Sequence, residues 1–384
     1  MMRIFNLRLP QFLRQSGQRS RLLLLSLGAL GLSLGTLSGC STIGYYAQSI
    51  HGHFSMLSAA KPVDEWIGDT STDPKLARRL QLSQQIRNYA VSELALPDNA
   101  SYRRYADLQR PFVVWNVFAA PALSLQLKTW CFPVAGCVSY RGYFDKADAE
   151  AAAQQLHAEG YDVQVAGIPA YSTLGYFDDP LLNTFISYPA GELARMIFHE
   201  LAHQVVYVQN DSTFNESFAT AVEEAGVERW LAEPENAQFA ASYREFDGRR
   251  QQFKALLMHY RQQLDTLYQS DLDNASKLQQ KMQLFAQLQT DYAQLKSSWG
   301  GFAGYDRFFA SGVSNAHLGA IATYTELVPL FKNMLNEATI NSGTNQQTLP
   351  DHAAYTRFFA AVRELAKQPR DKTLSAAATL SKQQ

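Results

Sequence analysis

Cysteine is scarce, with three in 384 residues, and there is no excess of positive charge. So few thiols exclude a disulfide-dense scaffold, and two of them without neighbouring His or Cys make a poor structural zinc site. The formal net charge is −1, yet the first 39 residues hold five arginines (Arg3, Arg8, Arg14, Arg19, Arg21) and no acid. Without that segment 29 basic side chains stand against 35 acidic ones, a net of −6, which leaves no electrostatic footprint for nucleic acid. An internal repeat is also lacking, and with it the case for a solenoid. What remains, 46% apolar and 18% charged, is the composition of a globular chain long enough for one large domain or two ordinary ones.

The arginine-bearing start leads into "LLLLSLGALGLSLGTLSGC", Leu22 to Cys40, too short and too rich in Gly and Ser for a membrane span. Its end, "LSGC", resembles the bacterial lipobox, which implies cleavage before Cys40 and lipidation of that residue. Ser41 rather than Asp follows, which by the same resemblance implies the outer membrane, facing the periplasm, with acyl chains holding the protein at the surface. An uncleaved anchor, or an ordinary signal peptide with a chance cysteine, is the alternative. Cys131 and Cys137 are then an even pair in "WCFPVAGCVSY", and an oxidising envelope favours a short disulfide-closed turn.

Read in order, the chain divides into a signal peptide (1–39), a lipidated tether (40–60), an α/β part (61–235), a helical hairpin (236–300), a C-terminal helical part (301–370) and a frayed tail (371–384). His51 and His53 lie two apart and share no helical face, which argues against a metal role. Helices are expected from Pro74 to Leu94 and around Ser101 to Leu108, followed by strands at Pro111–Pro121, Cys137–Phe144 and Tyr161–Gly167. Asp145 and Gly160 delimit a helix between the last two. "AYSTLGYF", Ala170 to Phe177, reads as a further strand or extended segment, ahead of a turn at Asp178-Asp179-Pro180. Two apolar stripes stepping by three and four, Phe253–Leu267 and Leu278–Trp299, imply an antiparallel helical pair. "DLDNASKLQQKM" begins like a calcium loop, but Ser276 and Met282 stand where Gly and Glu are required. Residues Gly312 to Leu335 read as helical.

His199-Glu200-Leu201-Ala202-His203 has the spacing H-E-x-x-H. Positions i and i+4 of a helix lie one above the other, so two imidazoles can meet one zinc ion while Glu200 projects beside them. Leu193, Ile197, Leu201, Val205 and Val208 support the helix independently. The plainer alternative is a helix with two surface histidines. A catalytic site needs a third protein ligand. The third His of the metzincin pattern would fall at Gln209, so that branch is excluded. An acid on a following helix remains, and "FNESFAT" supplies Glu216. Thr213 to Glu216 also fits a capping box, in which Glu216 would serve the helix start instead.

"FHELAHQ" followed by "FNESFATAVEEAG" resembles the gluzincin zinc peptidases, whose second helix carries N-E-x-x-[SA] with its glutamate on the metal. "NESFAT" is similar to the N-E-G-F-A run of zinc aminopeptidases. Over most of the chain, "YYAQSIHGH", "VVWNVFAAPALSLQLKTWCFPVAGCVSYRGYF", "AYSTLGYFDDPLLNTF" and "SNAHLGAIATYTELVP" resemble the bacterial predicted-aminopeptidase lipoprotein family. The resemblance implies an α+β, zincin-like metallopeptidase domain: a small mixed sheet ahead of the H-E-x-x-H helix and a long antiparallel helical hairpin in the C-terminal half. It implies zinc held by His199, His203 and Glu216, with Glu200 as general base. One departure is the link from His203 to Glu216, shorter than gluzincins use. Glu223 fits the usual spacing but lacks the motif context, and seven residues from Glu216 it can stack behind the site.

The oxyanion donor, often Tyr or His in such enzymes, has candidates in Tyr324, His317 and Tyr305. By the same resemblance "AYSTLGYF" can be the edge strand that hydrogen-bonds an extended peptide, through Tyr171, Ser172 and Thr173; the alternative is that these are ordinary strand residues. An aminopeptidase must also neutralise the substrate's α-ammonium. The G-A-M-E-N motif is absent, which leaves Glu223, Glu224, Asp178 and Asp179. Expected partners are a peptide substrate, the membrane through Cys40, and a protein partner for the hairpin. The alternatives are a zinc endopeptidase, or a non-catalytic zinc-binding lipoprotein acting as an interaction scaffold.

Overall fold

The structure is a computed structural model that describes residues 43–133, 136–170, 172–340, 349–370 and 373. The chain separates into two compact units, Met1–His53 and Phe54–Gln384. In the first, residues 43–53 are helical. Cys40 and its preceding segment, Tyr171 and most of the tail after residue 370 lie outside the described residues.

The second unit is α+β. Its elements begin with β1 (Lys61–Pro62), α1 (Val63–Gly68) and α2 (Pro74–Ser92). Asp73 caps α2 by accepting from the backbone N–H of Lys75 and Leu76, and Pro74 sits where a missing N–H costs nothing. The helix expected near Ser101 does not form. Arg87, fully buried on α2, donates to the carbonyls of Pro97, Asn99 and Ser101. Tyr102 then takes a left-handed φ of 64°, and the chain enters β2 (Arg104–Ala106). Arg87 thus satisfies carbonyls that would otherwise be left without a helical partner.

Strands follow at β3 (Val114–Pro121), β4 (Trp130–Phe132), β5 (Gly136–Val138) and β6 (Arg141–Tyr143), then α3 (Lys146–Ala158) and β7 (Tyr161–Ile168). Asp145 caps α3, and Gly160 follows its end with a φ of 87°. The central strand β3 pairs antiparallel with β6 on one side and with β7, from Val114↔Ile168 to Pro121↔Tyr161, on the other. β6 and β7 therefore run parallel across α3, a split β-α-β unit. The single strand expected over Cys137–Phe144 is broken at Ser139–Tyr140, and its halves belong to different sheets. The third small sheet joins β1, β2 and β8 (Leu181–Leu182), with β1–β2 antiparallel and β2–β8 parallel.

The rest is helical: α4 (Ala190–Ala202), α5 (Ser212–Ala232), the long pair α6 (Ala240–Gln269) and α7 (Asn274–Ser298), then α8 (Asn315–Thr323), α9 (Val328–Ile340) and α10 (His352–Leu365). The main core gathers Phe198, Phe214, Phe218, Trp230, Phe331 and Phe358 around α4 and α5. A second cluster, Phe253, Leu257, Tyr260, Leu264, Leu288 and Tyr292, is the seam of the expected hairpin. Both ends of that hairpin are tied down by ions. Lys281 reaches Asp162 at 2.6 Å and the Ala122 carbonyl, and Arg250 forks onto both oxygens of Glu192 at 3.0 and 2.8 Å.

Candidate metal centre

The two helices that meet at the site are α4 and α5. Leu193, Ile197 and Leu201 bury one stripe of α4, and His199 lies on its last turn with His203 immediately after it. A helix C-terminus is the end at which positive charge is favoured. Helix α5 starts at Asp211, which accepts from the Phe214 N–H at 3.0 Å. Asp211 is thus the cap, and Glu216 is released from the capping role that its sequence pattern allowed. The helices approach closely where α5 has no side chain: a Cβ on Gly226 would lie 3.0 Å from the Phe198 ring and 2.8 Å from Leu94.

The short connection, residues 204–211, is folded back by a residue that its motif hid. Asn215, buried at 3% exposure, accepts from the Val208 N–H and donates to the Val208 carbonyl, each at 2.8 Å. This two-bond clamp brings the start of α5 beside His203, so Glu216 needs no longer link. Asn of the N-E pair was legible as a motif letter, but its partner Val208 was not. On the other side of the cap Arg370 pairs with Asp211 at 2.9 Å.

His199 Nε2 and His203 Nε2 are 3.2 Å apart, and Glu216 Oε2 lies 3.3 Å from the first and 3.6 Å from the second. Donors held at zinc distances around a tetrahedral ion would be roughly 3.3–3.6 Å apart. Three lone-pair donors converging at this spacing fit a cation, and this is the one group of three His, Cys, Asp or Glu side chains among the described residues able to hold a metal ion.

Behind the ligands runs a chain of alternating charge. His199 Nδ1 meets Glu223 Oε2 at 2.8 Å, which fixes the ring so that Nε2 points at the centre. The other oxygen of Glu223 takes a hydrogen bond from Arg195, whose guanidinium also lies 3.5 Å from Glu192, itself held by Arg250. Burial opposes every charge here, and the neighbours overcome it. Arg195 and His199 hold the Glu223 carboxyl at about 2, and the two histidines hold Glu216 at about 2. Glu223 and Glu216 in turn raise His199 to about 10. The carboxylates of Glu216 and Glu223 thus make this a place where positive charge is favoured, as it is around a divalent ion.

Glu200 is 6% exposed and, among the described residues, its carboxylate takes no hydrogen bond or ion pair. Burial raises its pKa against the pull of both histidines. Asp179 shares this acidic corner. It accepts from the Thr173 N–H at 2.9 Å, the Thr173 hydroxyl at 2.8 Å and the Ser172 hydroxyl at 3.4 Å. The segment 172–178 therefore curls about Asp179 instead of forming the expected strand, with Leu174 and Gly175 both left-handed. Burial, with Glu200 adding to it, pushes Asp179 up to about 7. Tyr324 stacks on His199, ring centroids 6.3 Å apart and planes 26° from parallel. Burial and the charge of Glu216 raise its phenol, so it stays a donor. Tyr207, on the link, also feels Glu216.

A family model described as "Putative aminopeptidase" matches residues 44–376. The chain belongs to this aminopeptidase family. No curated protein and no solved structure matches it.

In this family member the other residues singled out in the sequence fall elsewhere. His317 accepts from the Ser314 N–H at 3.2 Å and packs edge-on to Phe308, so it closes the start of α8 rather than facing the site. Tyr305 stacks on Phe253 at 4.1 Å inside the hairpin cluster. Glu224 pairs with Lys254 and Lys332, and Asp178 is exposed. Cys131 and Cys137 form the expected disulfide.

Proposed function

We propose that this member of the aminopeptidase family is a zinc-dependent peptidase on a zincin-like fold, an aminopeptidase anchored in the cell envelope through lipid on Cys40. The observation that carries the proposal is the convergence of His199, His203 and Glu216 with the unpartnered carboxylate of Glu200 beside them. No helix among the described residues is long and apolar enough to cross a membrane; the anchor proposed here is lipid on Cys40.

Zinc held by the three ligands would supply a Lewis acid for the scissile carbonyl and acidify water at its open position. The chain's own residues do the rest. Glu200 accepts the proton of the attacking water and returns it to the leaving amine. The Tyr324 hydroxyl, which makes no hydrogen bond among the described residues, donates to the oxyanion as charge develops there. Glu223 and Arg195 keep the His199 ring in register.

An endopeptidase of the same mechanism is a second reading, favoured by the state of the nearby acids. Glu223 and Glu224 are paired with cations, and Asp179 is pushed toward its neutral form, so none of the three offers a free anion for an α-ammonium. The test is to load the purified chain with zinc and compare free and N-blocked peptides. Cleavage of free peptides alone supports the aminopeptidase, and equal cleavage supports the endopeptidase. Glu200→Gln should keep zinc and lose hydrolysis. Retained zinc with no cleavage of any peptide would defeat both in favour of a non-catalytic zinc protein.

A further inference from the structure

The link between the ligand helices is also gripped by a part of the chain remote in sequence. Strands β4 and β5 form a hairpin of three-residue strands, too short for stability alone, closed by the Cys131–Cys137 disulfide. Cys137 donates its backbone N–H to Asn210 Oδ1 at 2.7 Å. Asn210 stands at a left-handed φ of 67°, a conformation Asn tolerates better than other side chains. Gly136 lies against it: a Cβ there would come within 2.7 Å of Asn210 Oδ1 and 3.2 Å of its backbone nitrogen. The contact is therefore the backbone of the hairpin against the side chain and backbone of Asn210. Asn210 sits two residues after Val208, which Asn215 clamps, and directly before Asp211, the cap of the helix that carries Glu216.

We propose that Asn210 and the disulfide-closed hairpin are positioning elements of the metal centre, holding the 204–211 link in the conformation that lets Glu216 reach the two histidines. The proposal rests on the metal site described above. It accounts for how a short link works: the hairpin supplies from outside the restraint that a longer connection would have to build for itself. Asn215 and Arg370 still hold the link when this grip is lost, so the effect is on the aim of Glu216 and not on folding.

The test is zinc affinity of the full chain, by competition with a chromophoric chelator, below the unfolding midpoint of every metal-free variant. Asn210→Ala should weaken zinc about tenfold, the size of an outer-shell contact. Asn210→Gly, which keeps the left-handed backbone without strain, should fall between and serves in its place if the alanine variant does not fold. The double variant Cys131→Ser/Cys137→Ser, which has no hairpin thiol to bind zinc, should also weaken it about tenfold. Because the role is to aim Glu216, adding Asn210→Ala to Glu216→Ala should cost less than a further twofold. Full additivity, or unchanged affinity in the Asn210 and cysteine variants, overturns the positioning role. Failure of the wild-type chain to bind zinc at all overturns the metal site itself, and this inference with it.

Discussion

Replacing Asp179 by Asn should stabilise the protein, and by more at alkaline pH than at acidic pH. Asp179 is 2% exposed, and burial raises its carboxyl from 3.8 to about 7. Between those values the folded chain holds a proton that the unfolded chain has released. Stability is therefore undiminished below pH 3.8, is lost progressively as pH rises toward 7, and stays at the lower level above it. At about 1.4 kcal/mol per pKa unit, the cost is roughly 1.5 kcal/mol at pH 5 and roughly 4 kcal/mol at pH 8. Asn keeps the acceptor for the Thr173 N–H, and the Thr173 hydroxyl can rotate to accept from its amide. The gain from Asp179→Asn should thus grow by roughly 2.5 kcal/mol between the two pH values. Urea unfolding of chelator-treated wild type and variant at pH 5 and pH 8 measures it, and comparing the pair at each pH cancels the titrations that are not coupled to Asp179. The same gain at both pH values, or a loss at pH 8, would refute the reasoning.

Three other outcomes follow from the site. Glu216→Ala should reduce zinc affinity by more than about 100-fold, whereas Glu223→Ala, which removes the carboxylate shared by His199 and Arg195 but no ligand, should cost about 10- to 100-fold; equal losses would show the ligand assignment to be wrong. Tyr324→Phe should leave zinc content and KM unchanged and lower kcat by about 10²- to 10³-fold on any peptide the enzyme cleaves, while an unchanged kcat removes Tyr324 from the chemistry. Gly226→Ala should destabilise the chain by about 1–3 kcal/mol in denaturant unfolding, because its methyl group enters the space of Phe198 and Leu94; a neutral result would mean that α4 and α5 separate easily.

Local patterns carried far. The stripe from Leu193 to Leu201, the Asp145 cap and the two hairpin stripes are set by residues near one another in the chain, and each lies in the expected element; the helix ends at Ala202, so His203 caps it and Val205 and Val208, expected on the same stripe, fall in the link. Glu216 was legible through its motif, and it lies with both histidines in a group that could hold a metal ion. What the sequence hid was side chains satisfying backbone outside any periodic pattern. The curl at Thr173 depends on Asp179 six residues on, the turn at Ser101 on Arg87, and the link on Asn210 meeting Cys137, 73 positions away. Strands of two or three residues, such as β1 and β8, carry too little periodicity to be seen before their partners are known.

The ion pairs at the two ends of the α6–α7 hairpin have a consequence for how this chain can change. Arg250 completes the charge sequence that ends on His199, and Lys281 neutralises Asp162 at the edge of the sheet. Excising the hairpin would take Arg250 from Glu192 and Lys281 from Asp162, leaving the first only Arg195 and the second only the Asn315 N–H among the described residues, so two carboxylates would lose their closest cations. The hairpin is therefore a brace and not an appendage: Arg250 supports the charge sequence behind His199, Lys254 reaches Glu224 on α5, and Lys281 holds the edge of the sheet.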